Sequence, residues 1–203
     1  MFGLLLDRLV AKRGSMRLSE LVMISENVAA ASRLLDPNTS WCNATSLEVA
    51  RLGHEVTGWR RRFETRLARA GFQSTDPRLL SEAATEMVQL IRLIARVVRC
   101  REWLRVGDPI EAVELHSAAG LAAQLVADSA LQLASTGVLT GSDSGDVIKS
   151  RAEELYSRGL QRAFAESADP LDVLRHRTLY DGLLGVVIGS DSALASLRDA
   201  SAD

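Results

Sequence analysis

Few residues of this chain have the type and spacing that chemistry would need. His54 and Glu55 begin a zinc-binding helical pattern that needs a second histidine four residues after the first, but position 58 is Gly. His116 and His176 belong to no set of Cys, His and carboxylate residues that would complete a metal site. The sequence also contains no phosphate-binding loop, dinucleotide-binding fingerprint or serine-hydrolase elbow. We therefore name no catalytic residue and no cofactor, and we predict that the protein is not an enzyme.

Arginines are clustered in two of the predicted helices. Five arginines lie close together in one predicted helix, and three more follow at i, i+4 and i+7 in the next. The eight residues are Arg60, Arg61, Arg62, Arg66, Arg69, Arg92, Arg96 and Arg99. Such a run is most often a solvated helical face, and its functional alternative is contact with an acidic protein surface or an anionic membrane surface. The eight arginines are the candidate partner-binding residues.

The overall charge excludes a generally polycationic protein. The chain has 203 residues with 24 basic and 26 acidic side chains, for a formal net charge of −2. Residues 1–105 hold 17 basic and 11 acidic side chains, whereas residues 106–203 hold 7 and 15. Only 4% of the residues are aromatic, so few side chains could stack on bases. We expect no nucleic-acid partner; a nucleic-acid-binding regulator that used the arginines would lose affinity steeply with salt.

Hydropathy and cysteine usage indicate where the protein acts. The apolar stretches at 90–98 and 183–188 are too short, or too interrupted by arginine, to cross a bilayer. The first eight residues mix apolar, acidic and basic side chains without a cleavage site, and we interpret them as mature sequence. Cys42 and Cys100 form no Cys-x-x-Cys pattern, which favours a reducing compartment. We expect a cytoplasmic protein that could also lie peripherally at the inner face of the membrane.

Four Asp-Pro pairs mark helix boundaries. The pairs at 76–77, 108–109 and 169–170 are predicted helix starts, because Asp can cap the first free amides while Pro occupies the first helical position. The pair at 36–37 follows an apolar-periodic stretch and is predicted to end a helix. No alternation typical of strands lies between these signals.

We expect an all-α fold of six long antiparallel helices. The apolar period predicts helices at 16–35, 45–70, 77–105, 109–136, 145–167 and 170–199. Most are well above the globular mean of about 11 to 12 residues, which is typical of elongated bundles. Six such helices suggest two three-helix bundles in a single domain over 1–203, with 16–105 and 109–199 as a pseudo-repeat. Gly182, Gly185 and Gly189 are predicted to permit close helix packing.

The segment 169–181 carries the most specific family signal. It reads Asp-Pro-Leu-Asp-Val at its start and Leu-Tyr-Asp at its end, and it resembles the beginning of the last helix in the PhoU-like phosphate transport regulators. Weaker likenesses to that family lie at 20–35, 52–56 and 155–158. The resemblance implies a PhoU-like arrangement of two three-helix bundles, self-association, and a role beside Pit-type phosphate permeases.

The acidic residues with which PhoU-like proteins hold iron or zinc clusters are mostly replaced here. In that family, carboxylates four residues apart bind the cations from one helical face. The matching positions carry Gly53, Thr57, Val88, Gln89, Arg92, Lys149, Glu153, Leu184 and Ile188. Positive charge and apolar bulk at these positions oppose a cation, so the resemblance implies a degenerate relative without a metal cluster.

The leading hypothesis is a non-enzymatic regulatory or adaptor protein, associated with inorganic phosphate transport, that acts by protein–protein contact. Its expected partner is a Pit-type membrane phosphate permease or a signalling partner, with peripheral membrane contact as a further option, and we expect a homo-oligomer. Two alternatives stay open. One is a ferritin-like metal-binding bundle, although no Glu-x-x-His pair occurs. The other is an unrelated helical interaction domain in which residues 88, 184 and 188 are core positions.

Overall fold

Six α-helices make up most of the chain. The computed structural model describes residues 18–38, 43–69, 76–104, 109–140, 144–167 and 169–201, and within these ranges it contains no strand. The helices are α1 (Ser19–Arg33), α2 (Asn43–Arg69), α3 (Pro77–Leu104), α4 (Ile110–Thr136), α5 (Ser144–Glu166) and α6 (Pro170–Ser201). The prediction of an all-α fold is confirmed. Predicted and observed helix ends agree within two residues, except that α1 begins at Ser19 and not at the predicted residue 16.

Two of the Asp-Pro pairs start helices in the predicted way. The Asp76 carboxylate accepts a hydrogen bond from the Arg78 backbone N–H at 2.8 Å. The Asp169 carboxylate accepts one from the Leu171 backbone N–H at 2.9 Å. Each aspartate therefore caps a first turn, and the proline that follows it occupies the first helical position.

The other two pairs behave differently from each other. α4 begins at Ile110, one residue later than predicted, and Pro109 lies before the helix with an extended backbone (φ −60°, ψ 156°). Its carbonyl oxygen accepts the first backbone hydrogen bonds of α4, so the placement of this proline inside the helix is wrong. Asp108 lies outside the described residues. α1 ends at Arg33, ahead of Pro37, and the predicted helix stop is confirmed.

Each helix contacts two or three of the others, both within each half of the chain and between the halves. α1, α2 and α3 each contact the other two, as do α4, α5 and α6, and the halves meet through α1 against α4 and α3 against α6. Arg60 reaches Thr85, and Ser46 donates a hydrogen bond to Glu102, so α2 and α3 are antiparallel. This pattern is compatible with two three-helix bundles and with the pseudo-repeat, which both stay predictions.

One hydrophobic core includes side chains from all six helices. α4 lines its part of that core mainly with small residues: Ala112, Ala118, Ala119, Ala122, Ala123, Ala127, Ala130 and Ala134. Small side chains allow the backbones of α1, α5 and α6 to approach α4 closely. Of the apolar residues that an unrelated bundle would place in its core, Val88 is buried and Leu184 is half-buried, but Ile188 is 48% exposed.

The three glycines of α6 have two different settings. A Cβ at Gly189 would lie 2.6 Å from Leu93 Cδ1, and one at Gly182 would lie 3.1 Å from Val97 Cγ2. These two glycines permit the close packing of α6 on α3, as predicted. Gly185 has no atom within 4 Å of its Cβ position, so the packing prediction is wrong there.

Three polar or steric contacts join α5 to α6. A Cβ at Gly159 would lie 2.5 Å from Cζ of Tyr180, an aromatic side chain that is 1% exposed. The Tyr156 hydroxyl donates a hydrogen bond to Asp181 at 2.7 Å, and the Lys149 ammonium pairs with Asp191, also at 2.7 Å. The interface therefore combines one close steric fit with two hydrogen-bonded pairs.

Replacement of Gly159 by Ala tests the close fit of α5 on α6. The added methyl group would overlap the buried ring of Tyr180, and we expect the free energy of unfolding to fall by about 1–3 kcal/mol in urea titrations. The control is Gly185→Ala, which has open space and should gain up to about 1 kcal/mol from helix propensity. Equal effects of the two substitutions would contradict the close fit.

Alkaline pH should weaken the contact between α5 and α6. The hydrogen bond to Asp181 raises the pKa of the Tyr156 phenol, and the hydrogen bond to Asp191 raises the pKa of the Lys149 ammonium. In both cases the unfolded chain releases its proton at a lower pH than the folded protein does. The stabilisation is therefore present at neutral pH and is lost as the pH rises through the raised pKa values.

We expect the urea midpoint to fall above about pH 10, where the unfolded tyrosine and lysine begin to lose their protons. The double variant Tyr156→Phe, Lys149→Met lacks both titrating groups and should show a smaller fall over the same pH range. An equally steep fall in the variant would show that these two groups do not contribute.

Candidate functional site

Seven of the eight predicted arginines lie in two separate places. Because α2 and α3 are antiparallel, Arg60 is level with Thr85 of α3, and the end of α2 lies beside the start of α3. Arg92 and Arg99 lie further along α3, away from the end of α2. They are about 10 and 21 Å from the level of Thr85 along the helix axis. We call Arg61, Arg62, Arg66 and Arg69 the α2 group, and Arg92, Arg96 and Arg99 the α3 group.

Arg60 belongs to neither group. Its side chain is 28% exposed and lies against α3, where Nη1 is 3.4 Å from the Thr85 hydroxyl. Its Nε is 3.4 Å from a carboxylate oxygen of Glu64. Arg60 therefore helps to hold α2 against α3 and is the least accessible of the eight arginines.

The α2 group lines an open groove between the beginning of α1 and the end of α2. The groove has a volume of about 480 Å³ and is lined by Glu20, Arg61, Arg62, Thr65, Arg66 and Arg69. Among the described residues, four arginines and one glutamate therefore line the groove. The Thr65 hydroxyl donates its proton to the Arg61 carbonyl oxygen at 2.8 Å.

The one carboxylate of the groove is engaged by Arg66. Glu20 is 4% exposed, and one of its oxygens lies 3.0 Å from Arg66 Nη1. The Ser19 hydroxyl donates a hydrogen bond to the other oxygen at 3.1 Å. An acidic residue in the first turn of α1 is also favoured by the helix dipole. This ion pair ties the start of α1 to the end of α2.

Within the described ranges, the other three arginines of the α2 group form no ion pair. The guanidinium groups of Arg61 and Arg69 make no hydrogen bond or ion pair with any residue in the described ranges. The guanidinium carbon of Arg62 lies 4.6 Å from the centre of the Trp59 ring, a cation–π contact that orients the group without neutralising it. Like charges one helical turn apart, as at Arg62 and Arg66, disfavour the free helix.

The α3 group is exposed but has a different electrostatic setting. Arg92 donates a hydrogen bond to the Gln89 side chain, and Arg99 donates one to the Ala95 carbonyl, each at 3.2 Å. The facing stretch of α2 contains two acidic residues, Glu48 and Glu55, which both pair with Arg51. Two carboxylates with one arginine partner leave negative charge at the level of the α3 group. The α3 group therefore lies level with a net negative charge on α2, whereas the one carboxylate in the described lining of the groove is paired with Arg66.

The three histidines do not come together. His54 is exposed on α2, and His176 lies on α6 with Nδ1 2.8 Å from a carbonyl oxygen one turn earlier. His116 is fully buried, with Nδ1 2.8 Å from the Ala112 carbonyl oxygen and Nε2 3.4 Å from Arg101. Because arginine can only donate, Nε2 accepts and Nδ1 carries the proton. The sequence did not indicate that His116 is buried and hydrogen-bonded at both ring nitrogens.

Two of the positions that the sequence resemblance aligns with cation ligands make contacts of a different kind. The Thr57 hydroxyl donates to the Gly53 carbonyl at 2.8 Å, and Lys149 pairs with Asp191 instead of a metal-facing carboxylate. In the part of the chain that the structure describes, no three side chains of His, Cys, Asp or Glu are close enough to hold a metal ion together.

No described helix is both long enough and apolar enough to cross a bilayer. Cys100 is half-buried with a free thiol, whereas Cys42 and the first eight residues lie outside the described ranges.

Neither a scan against protein-family models nor a search of curated proteins finds a match to this chain. The PhoU-like resemblance therefore rests on the sequence motifs and stays a prediction.

The ion pair of Glu20 and Arg66 can be tested by replacing the arginine. We expect Arg66→Met to lower the free energy of unfolding by about 1–3 kcal/mol, because the buried carboxylate loses its charged partner. The partly exposed position of Arg66 keeps this effect below that of a fully buried pair. Urea unfolding measures the change, and Glu20→Gln added to Arg66→Met should restore part of it.

The matched control for that experiment is Arg69→Met in the last turn of the same helix. Arg69 has no ion pair in the described ranges, so its replacement should change the free energy of unfolding by less than about 0.5 kcal/mol. Equal losses for the two substitutions would contradict a specific contribution of the Glu20–Arg66 pair.

Proposed function

We propose that this protein is a non-enzymatic regulatory or adaptor protein of the PhoU-like type. It modulates a membrane phosphate permease, or a signalling partner of one, through contacts of its helical surface. The observation that carries the proposal is the α2 group, a concentrated and largely uncompensated positive surface on a chain whose net charge is −2. Such a surface offers a place for a partner and no group for catalysis.

The link to phosphate transport rests on the sequence motifs, and their placement supports it. Asp169 caps α6, and Tyr180 packs against Gly159 of α5. Tyr156 donates its hydroxyl proton to Asp181. The segments 155–158 and 169–181, which carry the resemblance, therefore meet in one helix interface. This supports the proposal because the segments that carry the resemblance contact each other across the same helix interface.

The packing of the helices supports the doubled layout. In each half of the chain all three helices contact one another, as the helices of a repeated trio would. The contacts between the halves join corresponding helices, α1 to α4 and α3 to α6. Two three-helix bundles related by an internal repeat would produce this pattern.

Self-association and a cytoplasmic location are parts of the same proposal. Phe164 near the end of α5 and Leu171 and Leu174 at the start of α6 are large apolar side chains that are more than half exposed. Exposed apolar surface supports contact with a second copy or with a partner. A location at the inner face of the membrane would bring the arginines near the cytoplasmic segments of a permease.

An adaptor of this kind acts by preferring one state of its partner. It can shift the partner between conformations only by binding one of them more tightly than the other. The positive surface accelerates encounter with an acidic partner and makes the complex sensitive to salt. No covalent step and no cofactor are needed.

Binding to the phosphate permease of the same organism tests the proposal. The permease is reconstituted in nanodiscs, and an unrelated transporter in identical nanodiscs is the control. We expect binding that weakens as salt rises, and phosphate uptake that changes when the gene for this protein is deleted. The absence of binding together with unchanged uptake would contradict the proposal.

A further inference from the structure

We infer that the groove lined by the α2 group binds an acidic segment of a partner protein through several aspartate or glutamate side chains. This inference rests on the proposed function in one respect, namely that the protein acts by protein–protein contact. It selects one of the two arginine groups and names the chemistry that this group recognises.

The spacing of the arginines requires an extended polyanion. Arg61 and Arg69 are eight residues apart in α2, which separates them by about 12 Å along the helix axis. Arg62 and Arg66 lie between them on the adjacent side of the helix. A single small oxyanion would reach only neighbouring members of this row. A segment with several carboxylates can meet the whole row, and the planar guanidinium fork fits a carboxylate through two parallel hydrogen bonds.

The groove is partly prepared for such a ligand. Arg66 is held by the buried carboxylate of Glu20, and Arg62 is oriented by the Trp59 ring. The guanidinium groups of Arg61 and Arg69 make no ion pair in the described ranges. They can therefore accept carboxylates without breaking an existing pair. An acidic ligand would also relieve the repulsion between neighbouring arginines.

The surroundings of the groove favour a protein segment over a membrane. It is concave, whereas a membrane surface offers a broad front of headgroups. Of the large apolar side chains that are exposed in the described ranges, none lies on α1 or on the second half of α2; Leu47 is at the other end of α2. Among the described residues, the groove therefore has no apolar anchors of the kind with which interfacial helices enter a bilayer.

The test measures fluorescence anisotropy of a labelled oligoglutamate peptide with the full chain, with oligoglutamine of equal length as the uncharged probe. Anionic vesicles and inorganic phosphate are separate arms. The groove variant is Arg61→Glu, Arg62→Glu, Arg69→Glu. The matched variant is Arg92→Glu, Arg96→Glu, Arg99→Glu, which makes the same change in net charge on the α3 group. Circular dichroism and urea unfolding establish that each variant folds, and glutamine replaces glutamate wherever a variant does not.

We expect the wild type to bind oligoglutamate in low salt and to bind oligoglutamine far more weakly. The groove variant should lose about tenfold or more in affinity, and the α3 variant less than about threefold. Equal losses in both variants, a failure of wild type to bind oligoglutamate, or tighter binding of vesicles or phosphate than of the peptide would each overturn the inference.

The outcome can be separated from that of the proposed function. Peptide binding that depends on the groove, without any binding to the permease, would leave the inference standing and remove the proposed partner. Permease binding that the groove variant retains in full would support the proposed function and overturn the inference.

Discussion

The contact between the Glu20 carboxylate and the Arg66 guanidinium determines how the arginines of α2 are presented. A buried carboxylate is costly without a cationic partner, so Glu20 fixes Arg66 and joins α1 to the end of α2. The remaining arginines of the α2 group then lie around a neutralised pair and keep their own charge. The ion pair is thus a polar connection between the two helix ends that form the groove, beside the contact of Arg66 with the Ser19 hydroxyl.

The position of α2 in the bundle explains why it can carry such a surface. Its buried apolar residues form one stripe along the helix: Val49, Leu52, Val56, Phe63 and Leu67. This stripe and the half-buried Trp59 pack against the core between α1 and α3, and the α2 group lies outside the stripe. α4 and α6 are packed on more sides than α2, because each contacts three other helices. Alanines on α4, and glycines on α6 at 182 and 189, allow those contacts to be close.

The helices could be predicted from the sequence because their signals are local. Apolar periodicity and the Asp-Pro pairs depend on neighbouring residues, and they located all six helices. The contacts between helices are not local in the sequence. The separation of Arg92 from Arg62, the burial of His116 and the open setting of Gly185 follow from the antiparallel register and from the packing angle of each helix.

The candidate site was predictable in composition but not in extent. The sequence indicated a basic surface from the arginine run at 60–62, yet Arg60 lies half-buried against α3. The sequence did not indicate that Glu20 pairs with an arginine of this site, because its partner Arg66 is 46 residues away. A sequence motif indicated the positions that resemble cation ligands. It did not indicate that Lys149 pairs with Asp191 on another helix.

Protection of individual arginines from phenylglyoxal, read by mass spectrometry with and without an acidic ligand, tests the central claim most directly. It reports on the unmodified protein and resolves the two arginine groups in one experiment. The account predicts that oligoglutamate protects Arg61 and Arg69 while Arg92, Arg96 and Arg99 react as before. Equal protection of both groups, or protection of the α3 group alone, would contradict it.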